Sequence, residues 1–299
     1  MLDWEAICVN DGSPDNTSTI LDEYAILDSR IKVIHQKNGG LSNARNAALK
    51  IARGEWLYYL DSDDLMPPNA MKNALDALKV VSDADLIWGK MTKFMDGEVC
   101  QWYKGTGNVK VGDISMGLEP QYFGCYFQQY LYRRSILGDL QFVGDSWCEE
   151  RPYFVKCMVR ARKVLAVDSV MYGFRVRCGS ITTSRMELRH LTGFLDATCE
   201  ILKILAASDK QIDRSIISGF LKNWMEWVPY RIFHDLQKWD RRMAWRYWFS
   251  RLDEAKTYGK MLGGWWHLSI WLCHRLPFPF MPLLLGALPY WLKIHGVHR

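Results

Sequence analysis

Two carboxylates spaced two apart in a turn can share one hard cation, and Asp61-Ser62-Asp63-Asp64 offers that pattern. Such a cation keeps several waters and completes its shell with phosphate oxygens, so the chemistry on offer is the binding of a diphosphate. Two further turns are similarly equipped. Asn10-Asp11-Gly12-Ser13 sets an amide and a carboxylate beside a glycine, and Asn38-Gly39-Gly40 lets backbone approach closely whatever lies beside it. Asp-rich turns also serve as plain surface loops and helix caps. The weight therefore rests on three such turns falling in one short stretch of chain.

The elements around these turns are what would bring them together. Trp4–Val9 is a short apolar run that reads as a strand ending in the first turn, followed by a helix with Ile20, Leu21, Tyr24 and Leu27 on one face. Residues 31–34 form the next strand. The Asn38-Gly39-Gly40 loop then feeds a helix carrying Leu41, Ala44, Ala48 and Ile51 at helical spacing. Trp56 to Leu60 is nearly continuous in apolar residues, as expected of a strand covered on both faces, and ends at Asp61. Pro67 and Pro68 open a helix with Met71, Ala74, Leu75 and Leu78 facing inward, and Asp85–Met91 is again strand-like. This alternation predicts a doubly wound, mainly parallel α/β sheet, in which turns at the carboxyl ends of strands line one ligand crevice. Beyond residue 92 the pattern loosens: Asp96-Gly97 suggests a hairpin, Tyr122–Tyr132 an extended aromatic segment, 149–162 a helix, and 164–167 and 172–176 separate strands.

The blocks VNDGSPDNTSTIL (9–21), HQKNGGLSNARNAAL (35–49) and LDSDDLMPP (60–68) resemble the signature blocks of glycosyltransferase family 2. The resemblance is dense over residues 4–90 and looser over 120–185. It implies the nucleotide-sugar-binding GT-A fold and an inverting transfer from a nucleoside-diphosphate sugar, with Mg²⁺ or Mn²⁺ as cofactor. Carried over by position, Asp11 contacts the donor base, taken as uracil. Asp61 lies near the ribose and the metal, and Asp63 ligates the metal directly. Arg45 approaches the nucleotide, and Asn38, Gly39 and Gly40 admit the donor. GDSWCEERPYF (144–154) resembles the family's acidic pair at a helix start, with Glu149-Glu150 in place of Glu-Asp. Glu150 is then the base, Glu149 its neighbour and Trp147 a platform for the acceptor sugar. YGFRVRCGSIT (172–182) resembles the closing strand and loop, with Arg175 and Arg177 directed to the diphosphate. The family's first strand, which lies inside the sheet, is missing ahead of residue 4, and its loss is expected to leave unpaired backbone and an open apolar face.

Composition narrows the alternatives. The 299 residues hold 49% hydrophobic residues and a net charge of +5, which places the chain among folded proteins and gives no basic stripe for nucleic acid. The basic excess sits late, alongside tryptophans and prolines. Trp265–Trp291 is strongly apolar but broken by Arg275 and by Pro277, Pro279, Pro282 and Pro289, which favours an interfacial or re-entrant segment over a spanning helix. Arg241, Arg242, Arg246 and Arg251 could meet anionic lipid. Eight cysteines without CxxC spacing read as free thiols in a reducing compartment, and the amino terminus does not look like a secretory signal.

The expectation is therefore a catalytic domain over 1–185 and a helical, membrane-associated extension over 186–299, cytoplasmic and peripheral to the inner face of the membrane. Its partners would be a UDP-sugar donor, a glycan or lipid-linked acceptor and the membrane surface, with no nucleic acid. A catalytically silent sugar-nucleotide-binding or assembly subunit is the alternative. A nucleotidyltransferase would want a Gly-rich, Lys- or Arg-bearing phosphate loop after the first strand, and the sequence has none.

Overall fold

The computed structural model describes residues 3–103, 105–112, 127–144, 148–177, 186–209, 228, 231–232 and 235–256. The chain divides into two compact units, the first made of Met1–Gly117, Cys125–Asp145 and Lys156–Arg177, the second of Leu118–Gly124, Ser146–Val155 and Cys178–Arg299.

The first unit opens with β1 (Ala6–Asp11), α1 (Thr17–Leu27) and β2 (Ile31–Gln36). β1 and β2 pair in parallel from Ala6 opposite Ile31 to Asp11 opposite Gln36. Helix α2 (Leu41–Ile51) starts from Gly40, whose φ of +84° suits a residue without a Cβ. β3 (Trp56–Tyr58), α3 (Ala70–Val80), β4 (Leu86–Met95) and β5 (Val109–Gly112) follow. A 3-10 turn at Phe127–Gln129 leads into β6 (Tyr130–Arg133) and the short α4 (Arg134–Leu137). Helix α5 (Glu150–Arg160) is shared between the units at Val155 and Lys156, and β7 (Val164–Val176) completes the first unit.

Five strands form one sheet in the order β3-β6-β4-β7-β5, with β4 and β7 parallel and the other pairings antiparallel. The core lies here. Leu86, Ile87, Leu131, Tyr132, Leu165, Met171 and Tyr172 are all buried. Helix α3 reaches this sheet with its small face: Ala70, Ala74 and Ala77 are buried against Ile87, Leu165, Val167 and Met171. Gly89 is required where β4 and β7 change register, because a Cβ there would lie 2.1 Å from Met171 Cγ and 2.8 Å from the Ser169 carbonyl oxygen.

Several expectations are corrected. The sheet is mixed, because β6 inserts antiparallel between β3 and β4, and β5 runs against β7. The turn at Asp96-Gly97 is present, with Gly97 at φ +82°, but no hairpin forms around it, since β7 lies between β4 and β5. The two strand pieces near 164–167 and 172–176 are one long strand with irregular pairing opposite Gly89–Met91. Residues 127–129 of the expected extended segment form a 3-10 turn.

Burial also departs from the sequence reading. The apolar face of α1 is open: Tyr24 and Leu27 are 57% and 80% exposed. The face of α2 that is buried carries Ser42 and Arg45, while Leu41 and Ile51 are exposed. Trp56–Tyr58 is only partly buried and Leu60 is exposed, so β3 is not covered on both faces. The topology supplies the reason. Among the described residues β1 pairs only with β2, and β3 only with β6, so the strands form two separate sheets and each leaves an unpaired edge. A two-stranded sheet offers little area to pack against.

In the second unit, α6 (Leu188–Ala207) and α7 (Lys238–Lys256) pack together. Helix α6 begins with a capping box between Glu187 and His190. Tyr247 donates to Asp196 at 2.6 Å, and Arg251 pairs with Asp196 and with Glu254. Trp147 and the apolar stretch 265–291 lie outside the described residues. No helix among the described residues is long and apolar enough to cross a membrane.

Candidate active site

Three strand ends and one helix build the site in the first unit. Asp11 closes β1, and its carboxylate accepts from Gln36 Nε2 at 2.7 Å, from Gly39 N at 2.9 Å and from Gly40 N at 2.8 Å. Burial alone would raise the Asp11 pKa, but these hydrogen bonds hold it below its ordinary value. The adjoining Gly12 sits at φ +74°, and a Cβ there would come within 2.8 Å of Asn38 N. The first two turns are thus one cluster, with the Asn38-Gly39-Gly40 backbone laid against the end of β1.

Helix α2 joins that cluster to the acidic turn. Its cap, Gly40, is bound to Asp11, and five residues on, a rise of about 7.5 Å, Arg45 donates from Nη2 to Asp61 Oδ1 at 3.0 Å. The Arg45 side chain is 9% exposed, and its guanidinium lies over the rings of Phe127 and Phe142 at 4.7 and 5.3 Å. The other Asp61 oxygen accepts from Gln128 Nε2 at 2.7 Å. Gln128 is itself buried, and its Oε1 has no partner among the described residues.

The acidic turn is fastened to β7. Leu65 and Gly173 exchange backbone hydrogen bonds at 2.9 and 2.8 Å. Asp64 accepts from the Tyr172 hydroxyl and, at 2.8 Å, from Arg175 N. Burial pushes the Asp64 carboxyl above its ordinary pKa despite both hydrogen bonds, with the neighbouring Asp63 and Asp61 charges adding to the rise. Arg175 donates from Nε to the Asp63 carbonyl at 2.7 Å and pairs with Asp96 at 2.8 Å, while Arg177 Nη2 reaches Asp63 Oδ2 at 2.9 Å.

The structure therefore groups Asp11 with Gly39 and Gly40, Arg45 with Asp61, and Arg175 and Arg177 with Asp63. Asn38 lies against Gly12. Glu149 and Glu150 belong to the second unit, where Glu150 opens α5 two residues after Cys148, a non-glycine residue at φ +73°. Sequence reasoning passed over Gln128, Tyr172, Gln36 and Asp64. Asp64 adjoins the named acids and was within reach of local reading. Gln128 is 67 residues from Asp61, and nothing local marks it.

Hard carboxylate oxygens at Asp61 and Asp63 suit Mg²⁺ or Mn²⁺. No group of three ligating side chains occurs among the described residues, so an ion there would take its remaining ligands from water and phosphate.

The chain is 37% identical to TuaG of Bacillus subtilis (strain 168), named for teichuronic acid biosynthesis, over 206 residues that make up 69% of this chain and 80% of that protein. The sequence profile of glycosyl transferase family 2 matches residues 1–140. The chain belongs to glycosyltransferase family 2. EpsH and EpsJ of the same organism are 33% and 31% identical, and the chain spans about half of their length, 54% and 55%. A structure of Staphylococcus aureus TarS 1–349 with UDP-GlcNAc superposes with a TM-score of 0.70 at 19% identity, covering 86% of this chain and 74% of that one. That similarity shows that this member of the family has the GT-A fold.

Proposed function

We propose that this chain is an inverting glycosyltransferase that moves a sugar from a UDP-sugar to a glycan or lipid-linked acceptor in cell-envelope polysaccharide synthesis. The observation that carries the reading is the turn Asp61–Asp64, pinned to β7 through Asp64 and surrounded by Arg45, Arg175 and Arg177. Membership of the family and the names of TuaG and TarS support it. Asp63, with Asp61 beside it, would hold Mg²⁺ or Mn²⁺, which supplies charge neutralisation of the leaving diphosphate. Arg45 orients Asp61, so that its carboxylate meets the ribose side of the donor. Asp11 holds the Gly39-Gly40 backbone at the base. Arg175 fixes the turn through the Asp63 carbonyl, and Arg177 exchanges Asp63 for a phosphate oxygen when donor enters. Glu150, assisted by Glu149, takes the proton of the acceptor hydroxyl, and Trp147 stacks on the acceptor sugar.

In this proposal the chain works on the cytoplasmic side, peripheral to the membrane through 265–291. The open edges of β1 and β3 favour a second reading, a subunit that binds the donor without transferring it. Thermal stabilisation by a panel of nucleoside diphosphates and their sugars, with Mn²⁺ or with chelator, separates these readings. A Mn²⁺-dependent shift with uridine compounds, lost in Asp63→Ala, supports the donor site, and sugar transfer or donor hydrolysis then distinguishes enzyme from silent binder. A folded chain with no shift from any nucleotide overturns both.

A further inference from the structure

At the far end of the same unit from the acidic turn lies a second concave site. Arg53, Glu55, Arg133, Arg134, Ser135 and Gly138 line a cavity of about 550 Å³. Glu55 immediately precedes β3 and Asp61 follows it, and six nearly extended residues separate these positions by about 20 Å. Arg133, opposite Trp56 in the antiparallel β3–β6 pair, marks the same end as Glu55.

The charges in this cavity are unequally satisfied. Arg133 is fully engaged: Nε donates to the Ala84 carbonyl at 2.7 Å, Nη2 to the Ser82 carbonyl at 2.6 Å, and Nη1 pairs with Glu55 at 2.7 Å, while the guanidinium lies over Trp56. That arrangement fixes one wall and consumes the one carboxylate in the lining. The side chains of Arg53, Arg134 and Ser135 have no hydrogen-bond or ion-pair partner among the described residues. Two exposed guanidinium groups without an acidic partner and an exposed hydroxyl therefore line one open concavity, of a volume within the range of small-ligand sites. Guanidinium forks match the oxygen geometry of phosphate, and two of them balance a dianion.

We propose that this cavity is a phosphate-binding site, separate from the donor turns, with Arg53 and Arg134 as its recognition groups and Ser135 as an additional donor. The phosphate could be that of a soluble phosphorylated molecule or of a lipid headgroup, and the test distinguishes them. Inorganic phosphate is titrated calorimetrically into the full chain in chelator. In parallel, the chain is sedimented with vesicles of phosphatidylcholine, with and without phosphatidic acid.

Variant Arg53→Gln/Arg134→Gln should weaken phosphate binding, or retention on phosphatidic acid vesicles, by tenfold or more. Variant Lys72→Gln/Lys79→Gln, which removes two charges from α3, should leave both unchanged. Loss in the solution arm alone identifies a soluble ligand, and loss in the vesicle arm identifies a headgroup. Binding unaffected by the arginine variant, or weakened equally by the lysine variant, overturns the proposal. So does phosphate binding abolished by Asp63→Ala, which would place the ion at the donor turns.

Discussion

Asp63 faces two cations in turn. In the structure its Oδ2 is paired with Arg177, a half-exposed contact of the kind worth ~0.2–1 kcal/mol, while the proposed function gives the same carboxylate to a divalent ion. Arg177→Gln is therefore expected to tighten Mn²⁺ binding in the absence of nucleotide, by roughly twofold to fivefold, and to weaken nucleoside-diphosphate binding, both readable by calorimetry. Asp64 differs from its neighbours in being buried and fully bonded. Tyr172→Phe leaves one of its oxygens without a donor in a buried place, which should cost ~1–3 kcal/mol in a denaturant titration. Glu150→Gln should lower the rate of transfer by ~10²–10⁴-fold with donor binding unchanged. These side chains differ in how far the chain alone exposes them. The acids of the turn are adjacent and announce themselves, whereas Gln128 and Tyr172 reach the same turn only because β6 and β7 bring them there.

Among the elements, β1 is held by its parallel pairing with β2, by Asp11 at its end, and by Glu5 just ahead of it, which bonds Lys32 of β2 and, at 2.6 and 3.0 Å, the backbone of Arg53 and Gly54. The Lys32 ammonium and those backbone donors lower the Glu5 pKa to about 2 from 4.5. A lowered carboxyl pKa means stability that is complete above the unfolded value and lost as pH falls through the folded one. Acidification from about pH 5 to pH 2 should thus loosen β1 and β2, and Glu5→Gln should remove that pH dependence, as followed by amide exchange. At neutral pH the same experiment should find β1 and β2 exchanging faster than β4 and β7. The former pair has partly exposed strands and an unpaired edge, the latter a buried core. In the core, Gly89→Val forces a side chain against Met171 and the Ser169 carbonyl, and should lower stability by at least ~1–3 kcal/mol in denaturant.

For the whole molecule, helical and strand periods and turn chemistry were enough to place α1 to α3, β1 to β4 and the acidic turn, because these signals are local and repeat within a few residues. The three blocks were likewise enough to indicate the family to which the chain belongs. Periodicity could not say which apolar faces become core. A stripe such as that of α1 is buried only if a sheet lies opposite, and here the sheet is divided between β1-β2 and β3-β6-β4-β7-β5. Strand direction was equally beyond local reading, since the antiparallel β6 arrives after a long excursion and its place between β3 and β4 is set by packing. The chemical types in the donor turns were thus written in the sequence. Their pairing, with Arg45 and Gln128 on Asp61 and Arg175 and Arg177 on Asp63, came only from the tertiary fold, because contacts between residues far apart in the chain exist once strands and helices have packed and not before.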